Sequence, residues 1–316
     1  MSATTAATDE PIVAKRRAGD IWFSSAALFA GSMILVTLAA VAIFLIVQSL
    51  PAFTATSEDA SVLKTNFWDY VWPLLFGTIW AAFLALLMAV PLSLGVALFI
   101  THYAPRRLAQ TLGYIVDLLA AVPSVVFGLW GIIVLPGAVQ PVYSWLNTNL
   151  NWIPLFSGDV SKTGNTILTA AMVLAVMVVP IITAICREIF LQTPKLHEEA
   201  ALALGATRWE MVRMAVLPFG RSGIVSASML GLGRALGETM AVAMVLSATG
   251  TVSFQLLTSL NPSTIAANIA LTFPEAYKVN INVLIATGLI LFVVTFAVNA
   301  AARWLVNRRK EFSGAN

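Results

Sequence analysis

Charge is scarce in this chain of 316 residues: Asp, Glu, Lys and Arg together make up 10% of it, against about 25% in soluble domains. With 59% of its residues apolar, the chain cannot cover a globule with a solvated surface, and a soluble enzyme is excluded. Cysteine is nearly absent. The single Cys186 forbids an intramolecular disulfide, and no Cys/His cluster stands at metal-ligand spacing. The two histidines, His102 and His197, are far apart in sequence, which argues against a metal site. No GxxxxGK[ST] loop occurs, so nothing here cradles the phosphates of ATP. No repeat with a period of about 20–50 residues recurs, so solenoids are out. The net charge of +3 does not imply nucleic acid as a partner, because in a membrane chain the placement of Lys and Arg carries the meaning.

The few charges are clumped. None falls between Asp20 and Glu58, between Asp69 and Arg106, or between Asp117 and Asp159. About 18 apolar residues suffice for a helix to cross a ~30 Å hydrocarbon layer. The gaps predict an all-α polytopic membrane protein with six spans near 21–50, 73–101, 109–135, 164–186, 221–249 and 281–304. The first span exceeds the about 7–15-residue apolar region of a cleaved signal peptide, and Lys15-Arg16-Arg17 before it reads as a cytoplasmic anchor. Residues 1–20 read as a disordered cytoplasmic tail, 21–72 as the first span with its outer loop, 73–305 as a five-span core, and 306–316 as a second tail. With both ends inside, fourteen of the eighteen Lys and Arg lie on cytoplasmic segments, three on outer loops and Arg234 within a span. A five- or seven-span count breaks this asymmetry. Trp68, Trp72, Trp145 and Trp152 in outer loops 51–72 and 138–163 suit an aromatic belt facing membrane lipids.

The longest cytoplasmic connection, 187–220, has a different pattern. Thr193 is a good helix N-cap and Pro194 suits a first helical position. Residues 196–204 are mostly strong helix formers, and Gly205 fits the left-handed residue that ends a helix. Thr207 and Glu210 form a capping box for a second short helix, which Pro218 is expected to stop. An ordinary connection needs only about 2–8 residues. Two capped helices exposing charge make a knob suited to a groove on a soluble partner, where a plain linker has no use for them.

Within the fifth span, Arg234 and Glu238 are four apart and are expected on one helical face. Each charge at mid-bilayer costs about 2.5–3.5 kcal/mol on insertion scales, so neither should face lipid. Gly231, Gly233 and Gly237 reduce bulk and are expected to admit a close neighbour. The pair either staples helices or lies on a solute route, where the guanidinium fork recognises an oxyanion. Asp117 is expected near an interface.

Glu199-Ala200-Ala201, three residues, then Gly205 and later Leu217-Pro218 resembles the EAA motif of ABC importer permeases, EAA-x3-G-x9-I-x-LP. Ala215 stands where a bulky aliphatic is usual, with Val216 beside it. The segments 231–240 and 121–131 resemble the phosphate-specific branch of that family, and the extra first span fits its C-subunit type. The resemblance implies a MetI-like type I importer core over about 73–305 and a permease that moves inorganic phosphate in an ATP-driven importer. It implies that Glu198, Glu199, Ala200, Ala201 and Gly205 dock on an ATPase, and that Arg234 and Glu238 line the translocation pathway. No residue of the chain is catalytic. It implies as partners a homologous permease (PstA-type), two copies of an ABC ATPase (PstB-type) that bind the ATP, and an extracytoplasmic phosphate-binding protein (PstS-type). This chain then needs no cofactor of its own. Competing readings are a related importer of molybdate, sulfate or another solute, a proton-driven secondary transporter with Glu238 as carrier, and a membrane sensor without transport.

Overall fold

The computed structural model describes residues 18–310; Lys15-Arg16-Arg17, most of the expected N-terminal tail and residues 311–316 lie outside them. Helix α1 (Ala18–Phe53) comes first, then α2 (Phe67–Leu98), which runs into a π-turn over Phe99–Tyr103. Next are α3 (Arg106–Ala120), α4 (Ser124–Ile133), α5 (Leu135–Leu150) and α6 (Ile167–Leu191). The following segment holds α7 (Lys195–Ala203), α8 (Arg208–Met211), a second π-turn over Val212–Val216, and α9 (Leu217–Leu236). The last three are α10 (Met240–Val245), α11 (Ile265–Thr272) and α12 (Val279–Lys310). All regular structure among the described residues is helical. The first unit is the chain up to Val47, which carries most of α1; the second, from Gln48, holds the core.

Helices α2 and α6 pack against each other more extensively than any other pair. Ala81, Ala85 and Ala89, spaced by four, put a small-residue stripe on one face of α2. Small side chains let two backbones approach closely, which is how helices associate where lipid is as apolar as Leu. Leu174, Met177 and Val178 of α6 fill that side and are fully buried. The Ser93 hydroxyl adds a polar tie by donating to the Val179 carbonyl at 3.2 Å. Both helices start on side-chain caps: Asn66 accepts from the Asp69 N–H at 3.0 Å and Thr166 from the Thr169 N–H at 3.2 Å.

Among the described residues five helices are long and apolar enough to cross a membrane, and the expected six are reached when α3 and α4 count as one span bent by 91°. The span expected over 109–135 is therefore a broken one. Pro123 leaves the helical region at ψ 140°, as a residue without an N–H to donate can do at low cost. The bend sets α4 against α10 and α6. A Cβ on Gly128 would lie 2.9 Å from the Ala241 Cα, and one on Gly131 would lie 2.6 Å from Val173 Cγ2.

The expected outer loop 138–163 also differs, since α5 occupies much of it. Tyr143 anchors that helix: it is fully buried, with its hydroxyl 2.8 Å from Thr169 Oγ1. The four tryptophans expected in a belt are all exposed. After α10 the chain folds back irregularly over 246–264. Buried Asn261 holds this return: its Oδ1 accepts from the Ile167 N–H at 3.1 Å, and its Nδ2 donates to the carbonyls of Asn165 and Ser247 at 3.2 and 3.3 Å.

Candidate functional site

The segment holding α7 and α8 forms a knob at one end of the bundle. No residue of α7 is buried, and Leu196, Leu204 and Trp209 are large apolar side chains left open at 73%, 90% and 56%. Gly205 takes φ +87° with open space around its Cβ position, so backbone conformation, not crowding, selects glycine there. The capping box is complete: Thr207 Oγ1 accepts from the Glu210 N–H at 3.3 Å, and Glu210 Oε2 accepts from the Thr207 N–H at 2.8 Å. The Thr207 backbone N–H and its hydroxyl hold the Glu210 carboxyl below its ordinary pKa. The expected cap on Thr193 is not made. Pro194 takes the cap position, and the Thr193 hydroxyl is buried with no partner among the described residues.

The second short helix does not stop at Pro218. Helix continues from Arg208 to Leu236 because the π-turn shifts the ladder before the proline: the Leu217 N–H reaches back five residues to the Val212 carbonyl. Pro218 then falls in the first turn of α9, where a missing N–H leaves no bond unmade. Val216 is fully buried and Ala215 only partly, so the aliphatic contact under the knob is made one residue late.

Two polar links tie the knob's end of the bundle together, and neither was legible in the sequence. His102, on the first π-turn, brings Nε2 to 3.5 Å from Glu198 Oε1 of α7 and Nδ1 to 2.6 Å from Thr101 Oγ1. Arg187, near the end of α6, reaches Asp117 of α3 at 3.4 Å and Glu188 at 2.9 Å. Its guanidinium passes where a Cβ on Gly113 would sit, 2.5 Å from Nη1. His102 and Glu198, like Arg187 and Asp117, are distant in sequence, and no local pattern marks either pair.

Arg234 and Glu238 do not share a helix. α9 ends at Leu236, Gly237 caps it, and the chain restarts at Met240. Among the described residues no ion pair joins the two. Glu238 turns inward at 8% exposure, and its Oε1 accepts from the Ala241 N–H at 3.1 Å. A buried carboxylate at a helix start meets N–H groups that no other backbone group satisfies, which is a better partner than a guanidinium beyond a helix break. Arg234 is exposed and faces a cavity of about 800 Å³ between α9 and α12, shared with Ser226, Leu230, Asn299 and Arg303. Of the three glycines expected to admit a neighbour, Gly231 does so: its Cβ would lie 2.7 Å from Val178 Cγ1. Gly233 faces open space, and the nearest atom to a Cβ on Gly237 is the Gly233 carbonyl oxygen at 3.5 Å.

The model of the family described as binding-protein-dependent transport system inner membrane component matches residues 89–311. The chain is 49% identical over 299 residues to the phosphate transport system permease protein PstC 2 of Mycobacterium tuberculosis, covering 91% of each. It is 38% identical over 308 residues to the PstC permease of Mesorhizobium japonicum, covering 94% of this chain and 92% of that one. Among solved structures, a bacterial ABC transporter that imports the acidic polysaccharide alginate matches at TM-score 0.59 and 18% identity, over 91% of this chain and 98% of that one. The MetNI methionine ABC transporter in an inward-facing form matches at TM-score 0.51 and 18% identity, over 75% and 93%. These two likenesses speak for the fold alone, which is that of an ABC importer permease. With a family model over most of its length and relatives this similar across nearly all of it, the chain belongs to the binding-protein-dependent transport inner membrane components, in their PstC permease branch.

Proposed function

We infer that this chain is a transmembrane subunit of an ATP-driven importer that carries inorganic phosphate across the cytoplasmic membrane. The observation that supports the solute most directly is the similarity to phosphate transport permeases along nearly the whole chain. The chain is not itself an enzyme; hydrolysis belongs to a separate ATPase. The exposed α7–α8 knob, with Glu198, Glu199, Ala200, Ala201 and Gly205, is the part that docks on it, and apolar Leu196, Leu204 and Trp209 supply the surface to bury there. Two such ATPases, a homologous permease and an extracytoplasmic phosphate-binding protein complete the assembly, with both termini of this chain on the ATPase side. ATP binds only the ATPases. Arg234, open to the α9–α12 cavity, meets the anion on its way through, and Glu238 keeps the helix break beside it in shape.

Vesicles containing the four partners test this. Labelled phosphate should accumulate only with ATP and binding protein present, and a proton uncoupler should leave the rate unchanged. Uptake that survives without ATP, or that sulfate or molybdate outcompetes, would overturn the assignment.

A further inference from the structure

We propose that Arg303 and Asn299 of α12 join Arg234 of α9 in a binding site for a tetrahedral oxyanion carrying a phosphate group. The proposal extends the phosphate-import reading above and rests on it for the identity of the anion. Both arginines line one cavity of about 800 Å³ whose wall contains no Asp or Glu. Among the described residues neither has a carboxylate oxygen within 4 Å. Arg187 behaves differently, with carboxylates at 2.9 and 3.4 Å. Two like charges on one cavity repel each other, and an anion between them relieves that repulsion.

The donors are arranged for such a ligand. Asn299 and Arg303 are four apart on one face of α12, as Ser226, Leu230 and Arg234 are on one face of α9. Each planar guanidinium presents two parallel N–H bonds to a pair of phosphate oxygens, and the Asn299 amide adds a neutral donor. Free phosphate and the phosphodiester of a lipid headgroup share this chemistry.

The complete transport complex carrying Ser226→Cys separates the possibilities, because Cys186, the one native thiol, is fully buried. N-ethylmaleimide is uncharged, so its approach does not depend on the arginines. In phosphatidylcholine vesicles, inorganic phosphate should slow labelling at position 226. Arg303→Gln should raise the half-protecting concentration about tenfold or more, the loss of a charged hydrogen bond, while Arg303→Lys raises it less. If Arg303→Gln does not assemble, Asn299→Leu replaces it and must weaken protection too. Slowing by phosphatidylglycerol alone, abolished by Arg303→Gln, supports the site with a headgroup as occupant. Labelling indifferent to phosphate in both vesicle types, or protection untouched by Arg303→Gln, overturns the proposal and leaves Arg303 an interfacial anchor. If the unmodified complex takes up no phosphate while phosphate and sulfate still protect position 226, the import reading fails and the oxyanion site stands.

Discussion

The knob at Gly205 and the helix break at Gly237 both change the direction of the chain, by different means. At Gly205 the turn is local: one positive φ and one capping box on exposed backbone. At Gly237–Thr239 the hydrogen bond is equally short in sequence, Glu238 to the Ala241 N–H, but the turn also has a tertiary part, since Glu238 is buried and α10 packs on α4 and α6. Local devices act through neighbours in sequence and survive transfer to another setting. Tertiary ones exist only in the assembled bundle.

The largest expected effect separates pathway from scaffold. Arg234→Gln should lower phosphate uptake about tenfold or more while assembly stays normal, and adding Glu238→Gln should not restore it, because the two do not pair. Recovery in the double variant would show an ion pair that forms during transport. Next comes the local turn. Gly205→Val forces a β-branched residue to φ +87°, a strain of about 1–2 kcal/mol, and should reduce ATPase association in pull-down and uptake together, with insertion unchanged. Glu238→Ala should destabilise the purified complex by about 1 kcal/mol through the lost cap, measured by denaturant titration. The smallest effect belongs to the capping box. Its contribution is present above the ordinary carboxylate pKa and is lost as pH falls through the lowered pKa of Glu210. ATPase association should therefore be flat near neutral pH and weaken only in strong acid, and Glu210→Gln should remove that acid dependence.

The same contrast explains what the sequence disclosed. Charge gaps located the spans near α1, α2, α6 and α12, since hydrocarbon excludes charge regardless of neighbours, and Gly205, Thr207 and Glu210 announced their turn because caps work within four residues. Pro218 misled, because the π-turn that absorbs it depends on Val212 and Val216 being buried under the knob. The Arg234–Glu238 spacing misled as well, since helical periodicity assumes a helix that Gly237 ends. The bend at Pro123, the His102–Glu198 contact and the place of Arg303 beside Arg234 are set by packing between distant segments.

The uninterrupted helix from Arg208 to Leu236 gives the molecule a lever arm. Its 29 residues span about 43 Å at ~1.5 Å per residue, with Trp209 at one end and Arg234 near the other. Under the import function inferred above, a push on the knob would reach the arginine through this helix. The π-turn near the knob interrupts the regular ladder of that rod, the Leu217 N–H reaching back five residues to Val212 and not four.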